Sequence, residues 1–167
     1  MRGVRTRLLP LCAAALAAIV PSLHASPAAA AGSSAACVHQ WTDTVSPGTT
    51  TATQRVVFSS HGETGTIRCS GTVQGRQVTG PGTFGEEGVV EGSCSSGRGQ
   101  ALFSITLPTD GGPVHLRIPV TFTLGPGGGQ TAGDVFPGAF VVRPVKGDCV
   151  TTPATEIAVT RFGLLQS

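Results

Sequence analysis

The sequence predicts an all-β fold, namely a small antiparallel barrel of about 7–9 strands, with a two-sheet β-sandwich as the close alternative. Apolar and polar residues alternate with a period of two in several segments, which is typical of strands with one buried face. Glycine is abundant, with 24 among 167 residues, and it separates these segments as turns do. Beyond the first thirty or so residues, no segment has apolar residues at helical spacing, so no helix is predicted there.

The clearest element is a hairpin over residues 100–124. Every second residue of 114–124 is apolar, and residues 100–107 show the same alternation. The intervening residues 108–112 contain Pro, Asp and two Gly, which are typical of a tight turn. Pro119 lies on the outward phase and lacks a backbone N–H, so we expect its strand to lie at an edge or to carry a bulge.

The same alternation, less regular, predicts further strands. They cover residues 38–45, 52–60, 65–74, 77–84, 88–94, part of 132–142, and 157–165. Glycines recur every few residues from 62 to 99, and those inside strands permit sharp coiling, which favours a closed barrel over a flat sheet. Residues 125–129 are four glycines and one proline. We expect them to be a long flexible connector rather than a phosphate-binding loop, because neither a helix nor a lysine follows.

Residues 1–31 have the organisation of a secretory signal peptide. Three arginines precede an apolar stretch that is too short to cross a bilayer, and the segment ends in three alanines. A basic start, a short apolar centre and small residues at the end are the signature of such a peptide. We therefore expect an N-terminal signal helix with cleavage after Ala31, one mature domain over residues 32–167, and an extracellular location.

The predicted mature domain is nearly neutral. The chain carries 11 Lys+Arg and 9 Asp+Glu, and three of the arginines belong to the signal peptide. The 8 basic and 9 acidic side chains that remain give a formal charge of −1. Such a domain lacks the positive charge with which proteins bind nucleic acid or an anionic membrane. We therefore expect no nucleic acid and, after signal cleavage, no membrane as a partner.

Cysteine usage agrees with export. The mature domain retains Cys37, Cys69, Cys94 and Cys149, and four cysteines in a short exported chain indicate two disulfides. Three pairings are possible; we favour Cys69–Cys94 with Cys37–Cys149, because each would join neighbouring strands of a meander. No two cysteines are spaced as in a zinc site, so we predict no metal ion. The alternative that Cys37 is a lipoprotein attachment site would leave an odd thiol.

The weak candidates for catalysis are His39 and Asp43. With Trp41, they alternate along the first strand and so share one face. We favour the interpretation that this face is on the surface, where Trp41 covers a barrel end. The alternative is a pocket in which the His39 imidazole pairs with the Asp43 carboxylate. His61, in a turn, and His115, on an outward phase, are expected to be exposed.

Other candidate catalytic groups are sparse. Glu86 and Glu87 are flanked by glycines, which predicts a loop tip with both carboxylates in solvent. Asp134 and Asp148 each follow a glycine and are expected to form turns. No Gly-x-Ser-x-Gly motif occurs, and all four mature cysteines are assigned to disulfides. We therefore predict no assembled catalytic set, no metal and no cofactor.

The chain resembles small secreted proteins of actinobacteria in three features. These are its single lysine, its signal peptide and residues 136–149, which read FPGAFVVRPVKGDC. The chain differs from the enediyne-carrier proteins of such organisms in its length and cysteine spacing. The resemblance implies secretion, and it transfers no functional residue.

These features predict a secreted, non-catalytic β-protein that binds an extracellular small molecule or protein. An apolar ligand would enter the barrel interior. The interior would be lined by residues such as Phe103, Leu116, Ile118 and Phe122, although the simpler interpretation is that these four fill the core. Two alternatives stay open. One is a small extracellular hydrolase or isomerase that uses His39 and Asp43, and the other is a protease inhibitor that presents a disulfide-braced loop such as residues 94–99.

Overall fold

The computed structural model describes residues 33–166. The predicted signal peptide, residues 1–31, lies outside the described residues. Residues 33–166 form ten β-strands and no helix. The strands are β1 (Ser34–Thr49), β2 (Gln54–Ser59), β3 (Gly65–Val73), β4 (Arg76–Gln77), β5 (Gly82–Gly92), β6 (Gly97–Leu107), β7 (Val114–Gly125), β8 (Gly128–Ala132), β9 (Gly138–Lys146) and β10 (Ala154–Gln166). This part of the chain has no helix that is long and apolar enough to span a bilayer.

The strands form an antiparallel sheet that closes on itself. Around the ring the order is β1, β2, β5, β6, β7, β8, β9 and β10, and β10 pairs with β1 to complete it. β2 and β3 together occupy one position in the ring. Both pair with β1 and β5, but β3 pairs with a different stretch of each strand than β2 does. β4 adds a short pairing to β3. The fold is a closed eight-stranded barrel with two additional strands, so the predicted barrel is confirmed over the alternative sandwich.

Alternation of side chains decides which face of each strand is inside. In β1, the odd-numbered residues from 35 to 45 are buried and the even-numbered residues are exposed. β6 and β7 form the predicted hairpin, in which Phe103 lies opposite Ile118. Pro119 lies just before the stretch of β7 that pairs with β8. β7 is therefore not an edge strand, because it lies between β6 and β8, but Pro119 falls where β6 is its one paired neighbour and a missing N–H is tolerated.

The predicted turn at Glu86–Glu87 is wrong. Residues 82–92 form one continuous strand, β5, which pairs with β6 from residue 83 to residue 92. The neighbouring glycine serves close packing and not a turn, because a Cβ on Gly88 would lie 2.5 Å from Cζ of Phe58. The two glutamates therefore point to opposite faces of a strand, with Glu87 exposed and Glu86 half-buried.

Residues 125–129 also differ from the prediction. β7 ends at Gly125, β8 begins at Gly128, and these two residues are paired. Only Pro126 and Gly127 connect them. Gly127 has a φ of 76°, the left-handed conformation that the third residue of a Pro–Gly turn requires. The segment is a tight hairpin turn and not a long flexible connector.

Residues 33–166 contain two disulfides, but the favoured pairing is wrong. Cys37 is bonded to Cys69, and Cys94 is bonded to Cys149. Cys37 and Cys69 lie directly opposite each other in the register of β1 and β3. A simple meander would separate these strands by one other strand. They are neighbours here because β2 and β3 share one place in the ring.

The barrel interior is packed at one end and hollow at the other. Near the end where β1 begins, the interior is filled by fully buried apolar side chains, among them Ile67, Phe84, Leu107, Phe136 and Leu165. Near the opposite end, where β1 finishes, the side chains leave a cavity. This asymmetry gives the barrel one end at which a ligand can be held.

Candidate ligand-binding cavity

The hollow end of the barrel contains a cavity of about 320 Å³. Its walls are mainly apolar and include four phenylalanines, Phe58, Phe103, Phe122 and Phe140. The Phe122 ring lies edge-to-face between Phe58 and Phe140, with centroid distances of 5.8 Å and 6.0 Å. Sites for small molecules begin at about 300 Å³, so the cavity is large enough for a small aromatic or aliphatic molecule.

Connecting loops form the mouth of the cavity. The β5–β6 turn, residues 93–96, and the β9–β10 loop, residues 147–153, lie on opposite sides of the ring, because four strands separate them in either direction. The Cys94–Cys149 disulfide joins these loops and lines the cavity. The glycines of the β7–β8 turn line it as well. The disulfide thus bridges the mouth, and the glycine-rich β7–β8 turn lies beside it.

Asp148 adds a negative charge at the mouth. Its carboxylate accepts hydrogen bonds from the hydroxyl of Thr151 and from the N–H groups of Val150, Thr151 and Thr152. The Thr151 hydroxyl and then the backbone donors lower the pKa of Asp148 below its ordinary value. The predicted turn at Asp148 is confirmed, and the group stays ionised.

The floor of the cavity is formed by Trp41, Asp43 and Glu86. Trp41 and Asp43 follow the inward phase of β1, and Glu86 follows the inward phase of β5 between Phe84 and Val90. The indole N–H of Trp41 donates to Oδ2 of Asp43 at 2.9 Å and to Oε1 of Glu86 at 3.0 Å. The Trp41 N–H thus brings the two carboxyl groups close together, and neighbouring carboxyl groups disfavour ionisation of both, so that one of them tends to keep a proton.

Burial raises the pKa of both carboxyl groups. Asp43 is fully buried, and desolvation raises its pKa against the opposing effects of Glu86, Trp41 and His61. Glu86 is half-buried, and desolvation followed by the charge of Asp43 raises its pKa well above the ordinary value. The pair therefore retains a proton at a pH where exposed carboxyl groups are ionised. Among the described residues, Oδ1 of Asp43 has no hydrogen-bond partner.

Arg161 supplies a buried positive charge beside the floor. Its guanidinium donates to the Thr131 hydroxyl at 2.7 Å and to the Phe136 carbonyl at 2.5 Å, and it lies 4.0 Å from the centre of the Phe136 ring. Gly138 and Gly163 are paired in register, and a Cβ on either would collide with the guanidinium. Burial lowers the pKa of Arg161 to about 10, so the group stays charged near neutral pH.

His39 belongs to the packed end of the barrel and does not line the cavity. Its ring lies between Phe84 and Phe136, with centroid distances of 4.7 Å and 4.9 Å. Burial, followed by the charge of Arg161, lowers the pKa of His39 to about 3. The imidazole is therefore neutral, and its Nε2 faces the Arg161 guanidinium at 3.4 Å.

The structure places His39, Trp41 and Asp43 on one face, as the alternation predicts. The favoured interpretation of a surface face is wrong, because all three side chains are buried inside the barrel. Asp43 accepts a hydrogen bond from Trp41, which also donates to Glu86, whereas His39 contacts Arg161. The catalytic alternative that uses His39 and Asp43 stays a prediction, and the titratable pair that meets at the cavity is Asp43 and Glu86.

Sequence reasoning found part of the cavity wall. Phe103 and Phe122 line it, whereas Ile118 is buried in the core and Leu116 packs against the core. Glu86 and Arg161 were not predicted as site residues. The sequence pattern nevertheless indicates that both side chains point inward, because each is in phase with buried apolar residues of its strand.

The other predicted polar positions are peripheral. His61 and His115 are exposed, as predicted, and each is hydrogen-bonded to a threonine hydroxyl. Asp134 is exposed in the β8–β9 loop. Within residues 33–166, no group of three or more His, Cys, Asp or Glu side chains is arranged to hold a metal ion.

No protein-family model, curated protein or solved structure matches the chain. The geometry and chemistry of the cavity are therefore the basis on which a function is proposed.

Proposed function

We propose that this is a secreted, non-catalytic protein that binds a small, mainly apolar molecule in the hollow end of its barrel. The observation that carries the proposal is the cavity of about 320 Å³, which has aromatic walls and a polar floor at Trp41, Asp43 and Glu86. Ligand sites combine such apolar walls with a few convergent polar groups that fix orientation. A core that served stability alone would be filled, because interiors pack closely and voids cost stability.

Secretion is the second part of the proposal. The organisation of residues 1–31 supports export, and two disulfides are consistent with an oxidising compartment. The Cys94–Cys149 bond has a further role in the proposal, because it would hold two opposite loops of the mouth in place around the ligand.

Dye binding tests the proposal. N-phenylnaphthylamine is uncharged near neutral pH and becomes fluorescent in apolar surroundings. Val142 lines the cavity, whereas its neighbour Val141 points outward and is 55% exposed. We expect saturable binding of the dye that is lost in Val142→Trp, which fills the cavity, and kept in Val141→Trp. Dye that does not bind the folded protein, or that binds both variants alike, contradicts the proposal.

Two other functions stay as alternatives. Catalysis is favoured by one observation: two carboxyl groups that accept from the same Trp41 N–H in an apolar cavity offer both an acid and a base. An activity in culture supernatant that disappears in Asp43→Asn would support it. A protease-inhibitor function would rest on residues 94–99, of which 97–99 are paired in β6. Titration against common serine proteases tests that function.

A further inference from the structure

We propose that the ligand of this cavity carries a protonated amine, which is held at the floor by Asp43 and Glu86 while its apolar body packs against the phenylalanine rings. This inference rests on the proposed function and names the chemical class of the ligand. It would be an arylalkylamine or a similar amphipathic monocation.

The first step is an unmet hydrogen bond at the floor. Asp43 lines the cavity and is fully buried, yet its Oδ1 has no partner among residues 33–166. Asp43 raises the pKa of Glu86, whereas Glu86 lowers that of Asp43, so Glu86 holds the proton of the pair and Asp43 is the carboxylate. A carboxylate oxygen accepts hydrogen bonds and does not donate them. Buried polar atoms are nearly always paired, and an exception calls for a partner that the chain itself does not supply. The missing group is therefore a hydrogen-bond donor.

The second step is the charge of the lining. Three carboxyl groups, those of Asp43, Glu86 and Asp148, line the cavity together with one guanidinium, that of Arg161. The guanidinium already donates to Thr131 and to the Phe136 carbonyl. An anionic ligand would therefore meet an excess of carboxyl groups. A neutral hydroxyl would supply a donor but no compensating charge, whereas an ammonium group supplies both.

The third step is the shape of the walls. Phe58, Phe122 and Phe140 form a continuous edge-to-face series, and Phe103 also lines the cavity. Such a surface suits an aromatic body. An ammonium beside aromatic faces also gains a cation–π attraction. The walls thus fit the apolar part of the molecule and the floor fits its charge.

Binding of an amine is expected to release a proton. In the empty cavity the two carboxyl groups retain one proton. Trp41 is hydrogen-bonded to both, and the charged groups that act on them are Arg161 on Glu86 and, from the exposed surface, His61 on Asp43. When an ammonium takes up the carboxylate oxygens, the shared proton leaves for the solvent. The ammonium replaces the proton, so the net charge at the floor is unchanged. The affinity for the amine therefore increases with pH while the pair remains partly protonated.

Competition among three matched compounds tests the proposal. All three compounds carry an indole ring with a two-carbon side chain. The chain ends in an ammonium group in tryptamine, in a hydroxyl in tryptophol and in a carboxylate in indoleacetate. With bound N-phenylnaphthylamine as the reporter, we expect tryptamine to displace the dye at a concentration at least about tenfold lower than either of the others. Calorimetry in two buffers of different ionisation enthalpy should show release of about one proton per tryptamine.

The adjacent glutamates provide a matched pair of variants. Glu86→Gln should abolish the proton release and weaken the advantage of tryptamine over tryptophol, because Asp43 is then the one carboxylate left at the floor. Glu87→Gln should leave both intact, because Glu87 points outward and lies 3.9 Å from the exposed Arg117. Asp43→Asn is a second variant at the floor with the same expected loss, which keeps the test available if one substitution prevents folding.

The outcomes separate the two proposals. If the dye does not bind the wild-type protein, the proposed function fails. If the dye binds but tryptophol or indoleacetate displaces it as well as tryptamine does, the amine proposal is overturned and the cavity function stands. Full retention of the tryptamine preference in both Glu86→Gln and Asp43→Asn would also overturn it.

Discussion

The substitution Glu86→Gln is predicted to change the pH dependence of stability. In the unfolded chain, a glutamate ionises with a pKa of about 4.3. In the folded barrel, burial and the neighbouring Asp43 raise the pKa of Glu86 well above that value. Between these two values the folded state binds more protons than the unfolded state. The free energy of unfolding therefore falls as pH rises through this window.

The magnitude follows from the single proton that the pair shares. One linked proton changes the free energy of unfolding by about 1.4 kcal/mol per pH unit. While the pair holds its proton, the wild-type protein should lose about 1.4 kcal/mol per pH unit relative to Glu86→Gln, and this loss should end once the pH passes the raised pKa of Glu86. His39 has the opposite effect below its ordinary pKa of 6.5, because its pKa is lowered to about 3 in the fold. That effect is present in both proteins and cancels in the difference.

Urea unfolding with intact disulfides measures this difference. The wild-type protein and Glu86→Gln are unfolded at several pH values across the window, and far-UV circular dichroism follows the transition. Glu87→Gln is the control, since its side chain is exposed on the outer face of the same strand. Parallel pH profiles for wild-type and Glu86→Gln would refute the reasoning, because they would mean that no raised carboxyl pKa is present at the floor.

Three further substitutions test the packing around the cavity. Arg161→Ala should lower the free energy of unfolding by about 3–5 kcal/mol, measured by urea unfolding, because it leaves buried partners unpaired; an unchanged midpoint would contradict the buried network. Replacement of Cys94 and Cys149 by serine should cost about 4 kcal/mol, since the bond closes a loop with a sequence separation of 55. Peptide mapping without reduction should recover this pair. Gly99→Ala should cost about 1–3 kcal/mol, because its Cβ would lie 2.4 Å from Cζ of Phe122; a variant as stable as wild type would show that the strands are less tightly packed there.

The closed barrel was predictable from the sequence because its evidence is local. Alternation over the β6–β7 hairpin depends on residues that are close along the chain, and both strands were predicted within a few residues of their observed bounds. The abundance of glycine favoured a closed barrel, which is observed, but two of the strand glycines serve close packing and not the coiling that was expected of them. Gly88 and Gly99 lie where a side chain would collide with an aromatic ring of a neighbouring strand.

The floor of the cavity was less predictable because its evidence is not local. Glu86 is flanked by glycines, which is also the pattern of a turn, and only the contact of Gly88 with Phe58 reveals why a glycine is needed there. The disulfide between Cys37 and Cys69 depends on β3 lying beside β1. The two strands are neighbours because β2 and β3 both pair with β1, each along a different stretch of it. His39, Trp41 and Asp43 were correctly placed on one face, but their polar groups suggested solvent. The signal for an inward face lay in Ala35, Cys37 and Val45, which share their phase and are buried.

The sole tryptophan of the chain provides the most direct test of the central claim, that a small molecule occupies this cavity. Trp41 is the only source of an indole N–H signal in a ¹⁵N-labelled protein, and that N–H is bonded to Asp43 and Glu86 at the floor. We predict that unlabelled tryptamine shifts this one resonance saturably, at the same concentrations at which it displaces the dye. If the dye is displaced while the indole resonance stays unchanged, binding takes place elsewhere on the protein and the cavity is not the site.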